Sequence, residues 1–321
     1  MGNLNVAVLG APEYAKGLGK KSTSSDFTFY DVKQGENTVT FAEPTKYPEK
    51  LASLFYVASM ADTALVVVDA IDHVLGETIV MLDALGLKDG SIILRNYITE
   101  DQIKPLLKGT AAEGYSVIQD DLNSIRGAFI ERATRIGQAG AGDLDAGKGI
   151  VPVDHHFDVK GVGAVALATV VRGIIRKHDE VRVLPGDKTA EIRSIQKHDD
   201  DSDWGVRGDR VGLALKNITN DDLDRGVVLT NDDGIICSSK LTGTIHLSKY
   251  FRTPLKQGTV IHLGHWMQLV PARIDTVEPV DGGLRVALTL EKPLVHGKGE
   301  SAVATCLEGG KLRVAGKIGI A

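Results

Sequence analysis

The sequence predicts an N-terminal α/β domain followed by two β-barrels, and three observations carry that reading. As far as residue 136, apolar runs such as "NVAVLG" (5–10), "TALVVVDA" (63–70) and "GSIILRN" (90–96) alternate with stretches of helical periodicity. That is the pattern of a parallel sheet with helices on both faces. Residues 137–149, "GQAGAGDLDAGKG", hold five glycines and three alanines and cannot build a packed layer. Beyond residue 150 the runs are short, strand-like and punctuated by Gly and Asp; closed barrels suit such a series because closure hides strand edges.

In chain order, "NVAVLG" is a buried strand ending in a glycine turn. Residues 11–41 are polar and glycine-rich, then extended. "PEKLASLFYVASMAD" (48–62) has helical spacing, "TALVVVDA" is a strand and "GETIVMLDALGL" (76–87) a helix. "GSIILRN" is a strand, "TEDQIKPLLKGT" (99–110) a helix opened by a threonine cap, "YSVIQD" (115–120) a strand and "LNSIRGAFIERATRI" (122–136) a helix. The second half then runs from "VPVDHHFDV" to "GVVLT", and again from "SSKLTGTIHLS" to "KLRVAGKIGIA", with the turn-rich "LTNDDGIICSS" between. The expected division is 1–136, a linker over 137–149, a barrel over 150–235 and a second over 236–321.

Composition narrows the function. Over 321 residues, 37 Lys and Arg stand against 42 Asp and Glu, a formal charge of −5. Residues 1–150 carry 14 basic and 20 acidic side chains, leaving 23 and 22 for the remainder. Neither half is a general polyanion binder, and no DNA partner is expected, although a local basic patch on the second half is allowed. Aromatics at 5% argue against a surface built for base stacking. Cys237 and Cys306 form no CxxC pair, which speaks against a disulfide scaffold or a cysteine zinc site. No signal-like start or membrane-length run is present, so a cytoplasmic protein without a membrane partner is expected.

Several motifs then fall in one order. "VGAVALATVVRG", "LPGD", "AEIRSIQ" and "GDRVGLALK" leading to "RGVVLT" strongly resemble the second domain of translational GTPases. The nearest likenesses are elongation factor Tu, its archaeal counterpart and the selenocysteine-specific factor. "FRTPLKQGTVIHLGHWMQLVPARID" and "VATCLEGGKLRVAGKIG" resemble the family's third domain, and "NVAVLG" with "MADTALVVVDA" its GTPase domain, here abbreviated. The resemblance implies that GTP in the first domain orients the barrels. The first barrel would carry the aminoacyl-end pocket and ribosome contacts, and the second would help hold the tRNA stem.

The nucleotide motifs are eroded. A phosphate loop reads G-x-x-x-x-G-K-[ST] after a strand; its glycines let N–H groups close on phosphate, its Lys offsets charge and its hydroxyl ligates Mg²⁺. Aligned on Gly10, "GAPEYAKG" offers Ala15 for the second glycine, Lys16 for the lysine and Gly17 for the hydroxyl. The downstream "GLGKKST" (17–23) fails in either register and reads as a turn with solvated lysines. Where the family places Asp-x-Pro-Gly-His, "AEPTK" (42–46) puts Ala42, Thr45 and Lys46 at the magnesium-water, γ-phosphate and catalytic-water positions. Where it places Asn-Lys-x-Asp, "NYIT" (96–99) keeps Asn96 but has Tyr97 and Thr99 for the Lys and the base-reading Asp. Gly10, Lys16 and Asn96 are thus remnants of a cofactor site, and Asp69 a framework survivor. No cofactor is expected, GTP or GDP with Mg²⁺ being the alternative.

Elsewhere, no catalytic or metal set is expected. His155 and His156 lie on a strand, where adjacent side chains point to opposite faces. His262 and His265 follow no zinc spacing. Trp266 and Met267 read as core, and "KHDDDSDWGVRGD" (197–209) as a solvated acidic hairpin tip. The phosphate-contact candidates are Arg172, Arg176, Lys177, Arg252, Lys256 and Arg273. The expected function is therefore that of an elongation-factor-like protein without conventional GTPase activity, binding tRNA, the ribosome or a translation-associated protein through its barrels. An active factor with an unconventional nucleotide site, and a regulatory module outside translation, are the alternatives.

Overall fold

The computed structural model describes residues 2–139, 147–198 and 200–320. The first unit contains β1 (Asn3–Leu9), β2 (Lys20–Ser24), β3 (Phe27–Gln34), β4 (Asn37–Pro44), α1 (Leu51–Ser59) and β5 (Thr63–Val68). It continues through α2 (His73–Leu85), β6 (Gly90–Leu94), α3 (Glu100–Leu107), β7 (Ser116–Ile118) and α4 (Leu122–Ala139). Residues 140–146 of the expected linker lie outside the described residues.

The sheet has the order β2-β3-β4-β1-β5-β6-β7. From β4 to β7 it is parallel, as expected; β2 and β3 run antiparallel and make it mixed. The physical reason lies in residues 27–44, which form a hairpin through a two-residue turn where Gly35 takes a φ of +61°. Its strands are buried on both faces: Phe27 and Phe29 join the core under α1 and α2, while Tyr30 and Phe41 join the core under α4. Local signals end the helices. Asp72 accepts from the Val74 and Leu75 amides at 3.0 Å, and Gly86 closes α2 at φ +69°.

The next strands are β8 (Ile150–Val159), β9 (Gly163–Thr169), β10 (Ile174–Arg176), β11 (Glu180–Leu184) and β12 (Lys188–Lys197). After them come β13 (Asp200–Ser202), β14 (Trp204–Val206), β15 (Arg210–Lys216) and β16 (Val228–Thr230). The order β11-β16-β8-β9-β15-β12 closes through β11–β12, with β13 added beside β12 and β10–β14 as a separate ribbon. The "solvated tip" is therefore partly structured: Trp204 lies cross-strand from Arg176, and Lys197 is buried against Asp209 at 2.5 Å. A second barrel of β17 (Ile236–Leu247), β18 (Val260–His265), β19 (Gln268–Val280), β20 (Gly283–His296), β21 (Ser301–Thr305) and β22 (Val314–Gly319) closes in the order β17-β20-β19-β18-β21-β22. The chain is thus an α/β domain followed by two closed six-stranded antiparallel barrels. Among the described residues no helix is long and apolar enough to cross a membrane.

The three bodies are packed together by side chains. Met267, Val303 and Val314 of the second barrel join the core of α1 and α2, and a Cβ on Gly264 would lie 2.5 Å from the Phe55 ring. Buried Glu77 of α2 accepts from Arg313 three times: from the backbone amide at 2.7 Å, Nε at 3.1 Å and Nη2 at 2.5 Å. On the first barrel, Arg225 bonds Asp26 at 2.8 Å while stacking on Phe27 and Tyr56, and Arg210 stacks on Phe29 at 4.0 Å.

Between the barrels, Glu300 accepts from Arg172 and the Gly297 amide, and its Oε2 lies 2.8 Å from His265 Nε2. Burial alone would raise this carboxyl, but hydrogen bonds from His265, Gly297 and Arg172 win and bring it to about 2 from an ordinary 4.5. A depressed carboxyl contributes stability above its unfolded value and loses it as pH falls toward the folded one. Relative to Glu300→Gln, the wild type is expected to lose about 3 kcal/mol between pH 4.5 and pH 2, read by urea unfolding at each pH.

Candidate functional site

The loop after β1 is where a phosphate-binding loop would sit. Gly10 is required there by the fold itself: its φ is +97°, and a Cβ would lie 2.1 Å from the Val67 carbonyl oxygen. In a phosphate loop the chain then enters a helix whose free N–H groups face the anion. Here it makes one 3₁₀ turn, Tyr14–Gly17, and passes directly into β2.

The N–H groups of this turn already have an acceptor. The Glu13 and Ala15 amides both donate to the carboxylate of Glu43, the bond from Ala15 measuring 2.9 Å. Glu43 stands on β4 within the "AEPTK" stretch and is 3% exposed. Burial pushes its carboxyl up, with the nearby Glu13 adding to the rise, while the two amides pull it down; the net direction is upward. A carboxylate of this chain thus occupies the amide nest that would receive a phosphate.

The neighbouring space is also taken. Tyr14, 7% exposed, donates to Asp120 at 2.6 Å under the Arg95 guanidinium, which itself bonds Asp120 at 2.7 Å. Arg126 donates to the Gly17 and Leu18 carbonyls, and Leu122 packs so closely on Gly17 that a Cβ would meet its methyl at 2.7 Å. Asp69 lies 3.6 Å from Arg95.

Each remnant has a structural partner or faces solvent. Lys16 is exposed, and Asn96 donates to the Asp69 carbonyl at 2.9 Å. Ala42 is in the core; the Thr45 and Lys46 amides bond the Asp26 carbonyl; Thr99 caps α3, its amide donating to Gln102. These residues do not fit a magnesium–triphosphate: the amides are bonded elsewhere, the hydroxyl position is glycine, and Glu43 would repel the anion. Sequence reasoning found the missing ligands but not Glu43 or Tyr14. An acidic residue beside Pro44 and an aromatic inside a glycine loop were the available signals.

A second feature was not anticipated. Between the β2–β3 hairpin and the first barrel lies a cleft of about 1120 Å³. One wall is mainly cationic, from Lys16, Lys20, Lys21 and Arg126, with Lys33 paired to Asp200 and Asp31 also in the lining. The other is apolar, from Phe157, Val159, Val162 and Leu167, with Phe157 42% exposed. Arg210 also lines it, held on Asp154 at 2.7 Å with its Nε unpartnered among the described residues. The lysines of "GLGKKST", read as solvated turn residues, are set on an edge strand facing a barrel.

The phosphate-contact candidates are not brought together here, and none lines the cleft. Arg172 is bonded to Glu300, Arg176 and Lys177 follow one another at β10, and Arg273 lies 3.1 Å from Asp275. Lys256 and Arg273 sit at neighbouring positions around the β18–β19 pairing, with Arg252 earlier in the same connection. His155 bonds Asp154 and Ser25, and His156 bonds Asn220, so the two point to different partners.

The family description "Elongation factor Tu domain 2" matches residues 163–230. An uncharacterized protein of Methanocaldococcus jannaschii is 34% identical over 319 residues, covering 98% of this chain and 99% of that one. The selenocysteine-specific elongation factor of the same organism is 25% identical over 289 residues, 84% of this chain but only 61% of that protein's length. In fold, the chain is similar over its whole length to translation elongation factor SelB from Methanococcus maripaludis crystallised with the GTP analogue GppNHp. That likeness has a TM-score of 0.79 at 23% identity and covers 79% of the SelB chain. With the fold and these relatives in agreement, the chain belongs to the translational GTPase superfamily of elongation factor Tu and SelB.

Proposed function

We propose that this chain is a translation-factor-like protein of the cytoplasm that holds the acceptor end of a tRNA in the cleft, without conventional GTP turnover. The observation that carries the second half of this reading is the Glu43 carboxylate on the Glu13 and Ala15 amides. With that nest filled from within, the first domain serves as scaffold, and its contacts through Arg313, Phe55 and Arg225 hold the barrels in place.

The cleft supports the first half. Lysine side chains along one wall suit phosphates, and the apolar wall with half-exposed Phe157 suits an unpaired terminal base. The cationic candidates of the second barrel, Arg252, Lys256 and Arg273, would follow the stem; Arg176 and Lys177 are candidates for ribosome contact. Similarity to elongation factors favours translation over an unrelated regulatory role.

Binding of unmodified tRNA to the full chain, followed by fluorescence anisotropy over a salt series, tests this. The double variant Lys20→Glu with Lys21→Glu is expected to bind at least about tenfold more weakly, with a salt slope reduced by about 2. Equal affinity and slope in wild type and variant would contradict the assignment.

A further inference from the structure

At the carboxyl ends of β5, β6 and β7, Tyr97 is wholly exposed, at 102%. It sits in a turn closed by the Ile98 amide donating to the Arg95 carbonyl at 3.0 Å, and both central residues are left-handed, Asn96 at φ +52° and Tyr97 at φ +63°. Such a turn favours glycine at the second position. The chain instead places there a large aromatic ring that packs on nothing. The turn is fixed from below: Asn96 is tied to the Asp69 carbonyl and Arg95 to Asp120.

The surroundings define what fits. Ile71, at 43%, and Leu122, at 38%, are the other exposed large apolar residues following β5 and β7. The charges on the loops and helix starts at this edge are mainly negative: Asp72 and Asp121 cap α2 and α4, Asp69 and Asp120 stand beside Arg95, Asp101 pairs with Lys104, and Glu100 enters none of these contacts. Arg95 is committed to Asp120 and Lys104 to Asp101 at 3.0 Å, while Lys16 lines the cleft. Nucleic acid is repelled by such an edge, and a cationic protein segment is attracted.

We propose that this edge is a docking surface for an arginine-bearing, partly apolar segment of a protein partner. Its guanidinium stacks on the Tyr97 ring and pairs with Glu100, while its apolar side chains cover Ile71 and Leu122. None of these three apolar residues lines the cleft, although Leu122 packs on Gly17, which does; Tyr97 and Ile71 stand apart from it.

The test uses the full chain, a short fluorescein-labelled peptide of alternating arginine and leucine, and an oligouridylate of equal length. Tyr97→Gly suits the left-handed turn and leaves folding intact. The wild type is expected to bind the peptide saturably, and Tyr97→Gly about tenfold more weakly. Glu100→Lys is expected to weaken the peptide as well, leaving oligouridylate binding unchanged. Absence of saturable peptide binding, equal peptide affinity in wild type and Tyr97→Gly, or oligouridylate binding lost in Tyr97→Gly would each overturn the proposal.

Discussion

Glu43→Ala is expected to lower the stability of the chain by about 2 kcal/mol, because it strips the acceptor from the buried Ala15 amide and from the part-buried Glu13 amide at once. Loss of the buried charge offsets part of this, since burial already disfavours the ionised carboxylate. Glu43→Gln should cost roughly half as much: its carbonyl can serve one amide, but its NH₂ group then faces the other. The pH dependence has a definite sign. The folded carboxyl titrates above its ordinary 4.5, so the folded state binds the proton more tightly and the contribution of Glu43 declines as pH rises through that range. The loss on Glu43→Ala is therefore larger at pH 4.5 than at pH 7. Urea unfolding measures it, and hydrogen exchange locates it: protection at Glu13 and Ala15 falls in Glu43→Ala. Unchanged protection there would mean the nest is held by something other than this carboxylate.

The second large effect is at the junction of α2 and the second barrel. Arg313→Ala leaves Glu77, 2% exposed, as a buried carboxylate without its guanidinium. Breaking such a pair from one side costs about 3–5 kcal/mol, whereas replacing both partners by apolar side chains of similar volume is close to neutral. The double variant Glu77→Leu with Arg313→Met is thus expected to recover most of the stability lost in Arg313→Ala. Thermal unfolding of the two variants checks this, and increased exchange along α2 in Arg313→Ala shows that the barrel contact has loosened. Equal stability of Arg313→Ala and wild type would remove the pair from the account of how the barrels are held.

The architecture was largely legible because its signals are local. Alternating apolar residues with Gly and Asp turns announce strands, and the spacing of residues 48–62 announces a helix, each readable without knowing any partner. The hairpin of residues 27–44 reads from sequence only as extended, because its alternation places Thr38 and Thr40 on the face opposite Val39 and Phe41 and gives no sign that the threonine face is buried too. The candidate site was legible by subtraction: Gly17, Ala42, Thr45 and Thr99 lack groups that a metal or a guanine needs. What replaced those groups was not legible. Glu43 lies 28 residues from Ala15, and Arg313 lies 236 from Glu77, so each pairing exists only once the sheet and barrels are assembled. The lysines at 20 and 21 are exposed as expected, but on a strand rather than a turn; that strand is an edge only because β3 pairs with it on one side and the barrel stands off on the other.

Titration of the full chain with a fluorescent GTP analogue, with and without Mg²⁺ and against an ATP analogue, tests the self-filled nucleotide site most directly. Weak binding beyond the micromolar range, indifferent to magnesium and to the base, is the result expected of a loop whose amides are bonded to Glu43. Micromolar or tighter binding that needs Mg²⁺ and prefers guanine would contradict it.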